Sequence, residues 1–147
     1  MFIDLMKDNF ERFTISQAAL IIRDNKCLIL KDAKYPWWLL PGGRVDIGEN
    51  KEIAFTRELQ EELGVTDFKI LGVADYDIWY GADTKKPVSA IVNLVDASQQ
   101  EIKLSGEHSD YKWIAEEELE KYEFRWPKTI KMIKNGFKYK KLLEKNG

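Results

Sequence analysis

Three glutamates stand close together in a segment that is predicted to be helical. The helix begins after Asn50, a favourable N-cap residue, and ends at Gly64. Glu58, Glu61 and Glu62 follow the spacing i, i+3, i+4, which places three carboxylates on one helix face. Like charges at these spacings destabilise an isolated helix by about 0.2–0.5 kcal/mol per pair, which a solvated face tolerates. Mg²⁺ offers another explanation, because it binds oxygen ligands and is commonly shared between carboxylates, waters and substrate phosphates.

A glycine-rich segment precedes this helix and favours the metal-binding interpretation. Pro41, Gly42, Gly43 and Gly48 are typical of turns and of unusual backbone angles. Segment and helix together resemble the signature of the Nudix hydrolases, and a match of this length at fixed spacing is specific. Every specified position of that signature is filled: Gly43, Glu49, Arg57, Glu58, Leu59, Glu61, Glu62, Gly64 and Val65. The resemblance is to a MutT-like member and implies an α+β fold, an α/β/α sandwich around a mixed β-sheet.

The resemblance also implies an activity. Nudix enzymes hydrolyse a nucleoside diphosphate that is linked to another group, and they use Mg²⁺ or Mn²⁺. For a MutT-like member we expect cleavage of a nucleoside triphosphate to the monophosphate and pyrophosphate. The alternatives are hydrolysis of ADP-ribose, of a nucleotide sugar or of a dinucleotide polyphosphate. A nucleotide-sensing module without catalysis is a further alternative from another class, but such proteins usually lose acidic signature positions, and this chain loses none.

Site residues are carried over from the family position by position. Glu58, Glu61 and Glu62 are the expected metal ligands and catalytic residues, with one of them acting as a base through water. The carbonyl of Gly42 is expected to complete the metal shell. Outside the signature, Glu107 precedes Trp113 by six residues, which is the spacing of a metal-site glutamate in MutT-type members. An exposed loop acid is the equally weighted alternative for Glu107.

Other residues are expected to hold the site together or to bind substrate. Arg57 belongs to the catalytic group, and its expected role is to pair with Glu49 and so fix the loop against the helix. Gly64 is expected to be structural.

Gly43, Trp38 and Arg23 are the candidate substrate-binding residues, although the aromatic at the Trp38 position is commonly structural in relatives. His108 is expected to face solvent, and Tyr76 and Trp79 are expected to pack in the core.

The remaining chain alternates strand-like and helical patterns. Residues 14–23 and 26–31 are predicted to form a hairpin around a turn at Asp24 and Asn25, and residues 36–41 a short extended segment. A second hairpin is predicted from residues 67–80 and 88–95 with a turn at 81–87. A short strand at 111–114 leads into a helical turn at 116–119, and Pro127 suits the start of a last helix. Apolar residues are expected to face the core from both helices: Ile53, Ala54, Leu59 and Leu63 in the first, and Ile130, Ile133, Phe137, Leu142 and Leu143 in the second.

Composition limits the class of protein. A chain of 147 residues with 44% hydrophobic and 33% charged residues is predicted to fold as one domain spanning residues 1–147. Its single cysteine, Cys27, lies in an apolar run and is predicted to be a buried thiol. No signal sequence and no run of about 20 apolar residues is visible, so we expect a cytoplasmic protein without a membrane partner.

The C-terminal region is basic, with nine Lys or Arg and two Glu in residues 121–147. Apolar residues recur among these lysines at helical spacing. An amphipathic helix with a lysine-rich solvent face therefore explains the charge better than nucleic-acid binding does. We expect a small-molecule nucleotide as substrate, no nucleic-acid partner, and a monomer or homodimer.

Overall fold

Strand β1 (Thr14–Arg23) lies inside a seven-stranded sheet in the computed structural model, which describes residues 9–81, 86–97 and 100–147. One side of β1 pairs in parallel with β6 (Pro87–Asp96), and its other side pairs antiparallel with β4 (Gly42–Arg44). The strand then turns at Asp24 and Asn25, whose φ angles are 49° and 61°. Two consecutive positive φ angles are typical of a type I′ hairpin turn, so the predicted hairpin into β2 is confirmed.

The other strands extend the sheet on both sides. Strand β2 (Lys26–Asp32) pairs antiparallel with β3 (Trp38–Leu39) and with β7 (His108–Ala115). Strand β5 (Lys69–Tyr80) pairs antiparallel with β6 and occupies the edge. Because β1 and β6 run parallel while the other strand pairs are antiparallel, the sheet is mixed, as predicted.

Three helical segments complete the described structure. Helix α1 spans Lys51–Leu63, a 3₁₀ helix spans Glu116–Lys121, and α2 spans Lys128–Asn146. Both predicted ends of α1 are confirmed: Asn50 Oδ1 accepts a hydrogen bond from the Ile53 amide at 2.9 Å, and Gly64 has the left-handed φ of 67°. Pro127 immediately precedes α2, as its fixed φ allows.

Alternating side chains of β1 enter two different cores. Leu20 points toward α2, where a Cβ on Gly136 would lie 1.9 Å from Leu20 Cδ2. Ile21 and its neighbour Ala19 belong to the opposite cluster, with Phe55, Leu59, Leu63 and Val65. The core on the α2 side contains Ile133, Phe137, Val92 and Leu94 among others. The sheet therefore lies between two helical layers, in the predicted α/β/α sandwich.

Several local predictions are wrong. Ile53 is 55% exposed and Leu142 is 49% exposed, because each lies on the solvent side of its helix. Tyr76 is 71% exposed, because it lies on the edge strand β5 and neither helix covers its face. The pairing of the glycine segment as strand β4 was not predicted, since glycine is depleted in strands.

The prediction for the single cysteine is confirmed, because Cys27 is fully buried.

Two predictions concern residues that the structure describes only in part. The turn predicted at 81–87 includes residues 82–85, and the domain predicted over residues 1–147 includes residues 1–8; both sets lie outside the described residues. Among the described residues, no helix combines the length and the apolar character that crossing a membrane requires.

Candidate metal-binding active site

Arg57 and Glu49 join the signature loop to helix α1. The Arg57 Nε and Nη2 atoms donate to Glu49 Oε2 and Oε1 at 2.7 and 2.8 Å, a bidentate pair. The Asp46 amide also donates to Glu49 Oε1, at 2.9 Å. These hydrogen bonds, that of Arg57 first, lower the pKa of Glu49 to about 2. Arg57 Nη2 lies 3.3 Å from the carbonyl of Arg44 as well, so one guanidinium ties the helix to both ends of the loop. The predicted pairing of Arg57 with Glu49 is present.

The same guanidinium contacts the acidic face of α1. Arg57 Nη1 donates to Glu58 Oε1 at 2.9 Å and to Glu61 Oε2 at 3.3 Å. The Glu58 side chain is 15% exposed and that of Glu61 is 59% exposed. Burial raises the pKa of Glu58, the Arg57 hydrogen bond opposes this, and the charges of Glu62 and Glu61 raise it further. A cation bound beside this carboxylate would favour its ionised form and so lower its pKa.

The two glycines of β4 let the main chain touch these carboxylates. The Gly42 amide donates to Glu62 Oε2 at 2.7 Å. A Cβ on Gly43 would lie 2.3 Å from Glu58 Oε1, so only glycine leaves room for that carboxylate. Gly42 has a φ of 143°, and a Cβ there would lie 2.0 Å from the Gln17 carbonyl oxygen.

A loop hydrogen-bonded to the end of α1 adds two more groups. The Ser105 amide donates to the Glu62 carbonyl at 3.2 Å, which holds the loop before β7 against the helix. Glu107 is exposed, and its carboxylate, that of Glu62 and the His108 ring each offer a donor atom within 4.8 Å of the others. The structure therefore brings Glu107 to the glutamate helix, where the resemblance places it.

His108 is buried, so the expectation that it faces solvent is wrong. Its Nε2 lies 3.3 Å from Glu62 Oε1, and the two side chains are 5% and 7% exposed. Burial acts to lower the pKa of His108, but Glu62, followed by Glu107 and Asp32, raises it above the ordinary value. Its neighbours in sequence, Ser and Asp, gave no sign of this burial, because the contact with Glu62 spans 46 residues of chain.

Two cavities lie close to the glutamates, one beside Gly42 and Gly43 and the other over Glu62 and Glu107. One, of about 200 Å³, borders Gly42 and Gly43 and is walled by Trp79 and Trp126, whose rings meet edge to face at 5.6 Å. Its apolar floor is formed by Ala18, Ala90, Val92 and Met132. The other lies over Glu62, Glu107 and His108 and also includes Lys34 and Tyr35.

Arg125 lines both cavities, and sequence reasoning did not single it out. Its guanidinium lies 5.0 Å from the Trp126 ring centre and 5.9 Å from that of Trp37. Its flanking aromatic residues, Phe124 and Trp126, are the signal in the sequence that could have pointed to it.

Two predicted substrate-binding residues lie apart from these cavities. Trp38 is 8% exposed and packs edge to face on Tyr122. Arg23 stacks over Trp113 at 4.9 Å and donates to the Ala97 carbonyl at 3.4 Å. The structure does not bring either side chain to the glutamates, whereas Gly43 lies directly against Glu58.

The donor set fits a divalent cation. Carboxylate oxygens of Glu58, Glu61, Glu62 and Glu107 are the ligand type that hard dications prefer. The half-buried Glu58 carboxylate, crowded by two neighbouring acids, has a raised pKa that a bound cation would lower.

Comparisons with known proteins identify the family of the chain. The sequence model of the NUDIX domain matches residues 13–135. The nucleoside triphosphatase NudI of Escherichia coli O139:H28 is 34% identical over 95 residues, which cover 58% of this chain and 67% of NudI. An ADP-ribose pyrophosphatase of Methanocaldococcus jannaschii is 32% identical over 120 residues, covering 76% of this chain and 68% of the relative. The crystal structure of a MutT protein from Methanosarcina mazei Go1 superposes with a TM-score of 0.75 at 26% identity, covering 91% and 99% of the two chains. The chain belongs to the Nudix family, and it is a divalent-metal-dependent hydrolase of phosphoric anhydride bonds.

Proposed function

We propose that this Nudix hydrolase uses Mg²⁺ or Mn²⁺ to cleave a nucleoside triphosphate to its monophosphate and pyrophosphate. One observation carries the proposal: Gly42 and Gly43, which contact the clustered glutamates of α1, also line a cavity with an aromatic wall and an apolar floor. A nucleotide is a molecule with a flat apolar base at one end and an anionic phosphate chain at the other. The two parts of the site match these two ends.

Glu58, Glu61, Glu62 and Glu107 would hold the cation, with the carbonyl of Gly42 as a further candidate ligand. A divalent cation bound there offsets the charge of the phosphate oxygens and favours the ionisation of a water molecule. Gly42 and Gly43 carry no Cβ, so a phosphate group can approach the main chain beside Glu58 and Glu62.

The protein groups around the glutamates fix their positions. Arg57 holds Glu58 and Glu61 from one side, and the Gly42 amide holds Glu62 from the other. Glu61 is the most exposed of the three, so its carboxylate is accessible to water and substrate. This leaves Glu61 the freest of them to accept a proton from the attacking water.

The base would lie in the cavity beside the two glycines. Stacking of a base on an aromatic side chain contributes about 1–3 kcal/mol in nucleic-acid sites and depends little on base identity. Trp79 and Trp126 offer such surfaces, and Ser16 and Thr129 at the rim offer hydroxyl groups to a base edge.

ADP-ribose is the second candidate substrate. It is favoured by the relative from Methanocaldococcus jannaschii, which is named an ADP-ribose pyrophosphatase and matches 76% of this chain. The same cavity would hold its adenine, and the same glutamates would lie beside its pyrophosphate.

A hydrolysis screen tests the proposal. It should cover nucleoside triphosphates, ADP-ribose, nucleotide sugars and dinucleotide polyphosphates with Mg²⁺ and with Mn²⁺, with phosphate and pyrophosphate measured separately. Monophosphate plus pyrophosphate from a triphosphate is the expected result. Selective cleavage of ADP-ribose would replace the first candidate by the second, and no turnover despite bound metal would indicate a nucleotide sensor.

A matched pair of variants tests the assigned residues. Glu61→Gln should lower kcat by roughly 10²–10⁴-fold, as the loss of a catalytic base or metal-binding charge does. Glu52→Gln changes an exposed glutamate in the first turn of the same helix and should leave kcat unchanged. A Glu61→Gln enzyme with the wild-type rate at saturating Mg²⁺ would contradict the assignment.

A further inference from the structure

His108 has a buried side chain whose Nδ1 has no hydrogen-bond partner among the described residues, while its Nε2 faces Glu62 Oε1 at 3.3 Å without good hydrogen-bond geometry. The side chain is 5% exposed and lies at the base of the cavity over Glu62 and Glu107. Leaving a buried polar group unpaired costs about 1–3 kcal/mol. A buried imidazole nitrogen and a carboxylate oxygen that face one another offer two donor atoms to one cation.

The geometry around His108 points to such a cation. Nε2 faces Glu62 Oε1 at 3.3 Å, and the second oxygen of Glu62 is occupied by the Gly42 amide. The donor atoms of Glu62, Glu107 and His108 lie within 4.8 Å of one another. A dication about 2.1 Å from each donor needs donors no more than about 4.2 Å apart. Glu107 is exposed, so a rotation of its side chain would close the remaining gap.

The backbone fixes His108 and Glu107 in this place. The Ala33 amide donates to the Glu107 carbonyl at 3.0 Å, and the His108 amide donates to the Ser105 carbonyl at 3.3 Å. The first contact holds the loop to the residue after β2, the second is a turn within the loop, and the Ser105 amide holds the loop to α1 through the Glu62 carbonyl. The imidazole therefore contacts Glu62 from a loop whose backbone is hydrogen-bonded on two sides.

We propose that His108 supplies a nitrogen ligand to a divalent cation held with Glu62 and Glu107, so that the site prefers a first-row transition metal suited to imidazole, such as Fe²⁺ or Ni²⁺, over Mg²⁺. The proposal rests on the proposed function, because Glu62 is among the metal ligands of the hydrolase site. Mg²⁺ is a hard cation that takes oxygen ligands and keeps several waters. Imidazole nitrogen favours first-row transition metals, so replacing an oxygen donor by His108 shifts the preference toward them.

A single histidine makes the test direct. His108 is the only histidine in the chain, so any imidazole nitrogen signal in protein without a histidine tag arises from it. The experiment is pulsed electron paramagnetic resonance of the protein with one equivalent of Mn²⁺ and no substrate. We expect nitrogen-14 modulation with the parameters of a coordinated imidazole. Its absence at saturating Mn²⁺ would overturn the proposal.

Binding titrations distinguish a ligand from a residue that only positions Glu62. His108→Ala should weaken Ni²⁺ binding roughly tenfold or more, and Mg²⁺ binding by less than about threefold. His108→Phe keeps a ring in the buried space without a nitrogen and should show the same split. Lys138→Ala, at an exposed position of α2, should change neither constant. An equal loss for the two metals would overturn the proposal, because a positioning role affects both alike.

The two proposals fail in different ways. Mg²⁺-dependent hydrolysis of a triphosphate that requires Glu61, together with no nitrogen signal from Mn²⁺, would remove the role of His108 alone. A nitrogen signal in a protein that hydrolyses nothing in the screen would support the metal site and contradict the proposed hydrolysis.

Discussion

The Gly42 amide donates a hydrogen bond of 2.7 Å to Glu62 Oε2, and this contact joins strand β4 to helix α1 across 20 residues of sequence. A neutral amide that donates to a carboxylate forms a stronger hydrogen bond than one that donates to a neutral acceptor. Strand β4 is therefore part of the acidic site, and substitutions there act on the glutamates.

Gly42→Ala should destabilise the fold. The φ of 143° is strained for alanine, and its Cβ would lie 2.0 Å from the backbone oxygen of Gln17, which cannot rotate away. Strain of this kind costs about 1–3 kcal/mol, which we expect to see as a lower free energy of unfolding in urea titrations. Gly48→Ala is the control for φ alone, since Gly48 has a φ of 85° and open space around it. Equal losses in the two variants would show that the clash contributes nothing.

Gly43→Ala should impair activity more than stability. Its Cβ would meet the Glu58 carboxylate, the end of a flexible side chain, which can move aside. Displacing a catalytic group by about 1 Å can lower the rate about 10²-fold, so we expect kcat to fall by one to two orders of magnitude. The melting temperature should stay close to that of the wild type. Full activity in Gly43→Ala would mean that the position of Glu58 does not matter for catalysis.

Arg57→Lys should lower kcat although it preserves the charge. Lysine cannot make the bidentate pair with Glu49 while also contacting Glu58 and Glu61. We expect a loss of roughly tenfold or more in kcat from misplaced glutamates. Arg12→Lys, the same change at an exposed arginine, is the matched control for steady-state kinetics. An Arg57→Lys enzyme as active as Arg12→Lys would contradict this role.

The Glu49–Arg57 pair should make the stability of the fold depend on pH in the acidic range. The pKa of Glu49 is lowered to about 2 from about 4.5, so its ionised form is favoured in the folded state. Its contribution is therefore present above about pH 4.5 and is lost as the pH falls toward about 2. Melting temperatures of wild type and Glu49→Gln, measured from neutral pH to pH 2, should converge in this window. A constant difference across the window would exclude the pair as its cause.

Cys27 should resist thiol reagents in the folded protein. The side chain is fully buried, and burial raises the pKa of the thiol to about 12. Because the thiolate is the reactive form, the native protein should show negligible modification by a disulfide reagent at pH 8. The protein unfolded in urea should react with one equivalent at once, which serves as the positive control. Rapid reaction of the native protein would mean that β2 opens readily.

Local signals in the sequence predicted the fold well where one residue determines the local backbone. Asn50 and Gly64 predicted both ends of α1, because a cap depends on atoms within the same turn of helix. Asp24 and Asn25 predicted the hairpin turn for the same reason. The glycine-rich signature identified the family, and with it the arrangement of helices and sheet.

The features that the sequence did not predict depend on contacts between residues that are far apart in the chain. His108 was expected to face solvent because its neighbours are polar, but it is buried by a glutamate on another element. Tyr76 was expected to be buried because it lies in a long strand, and periodicity does not reveal that β5 is at the edge of the sheet. Trp38 and Arg23 were candidates for substrate binding, and only the three-dimensional structure shows that their contacts are to Tyr122 and Trp113.

Strand β1 contributes alternating side chains to both cores, and this limits which mutations the strand can accept. Deletion or insertion of one residue after Ala18 would turn Leu20 and Ile21 to the opposite layers, so that both helices would lose their partners together. Exchanges of one apolar residue for another of similar volume would disturb only one layer. Within the family, β1 should therefore vary in side-chain identity while its length stays fixed.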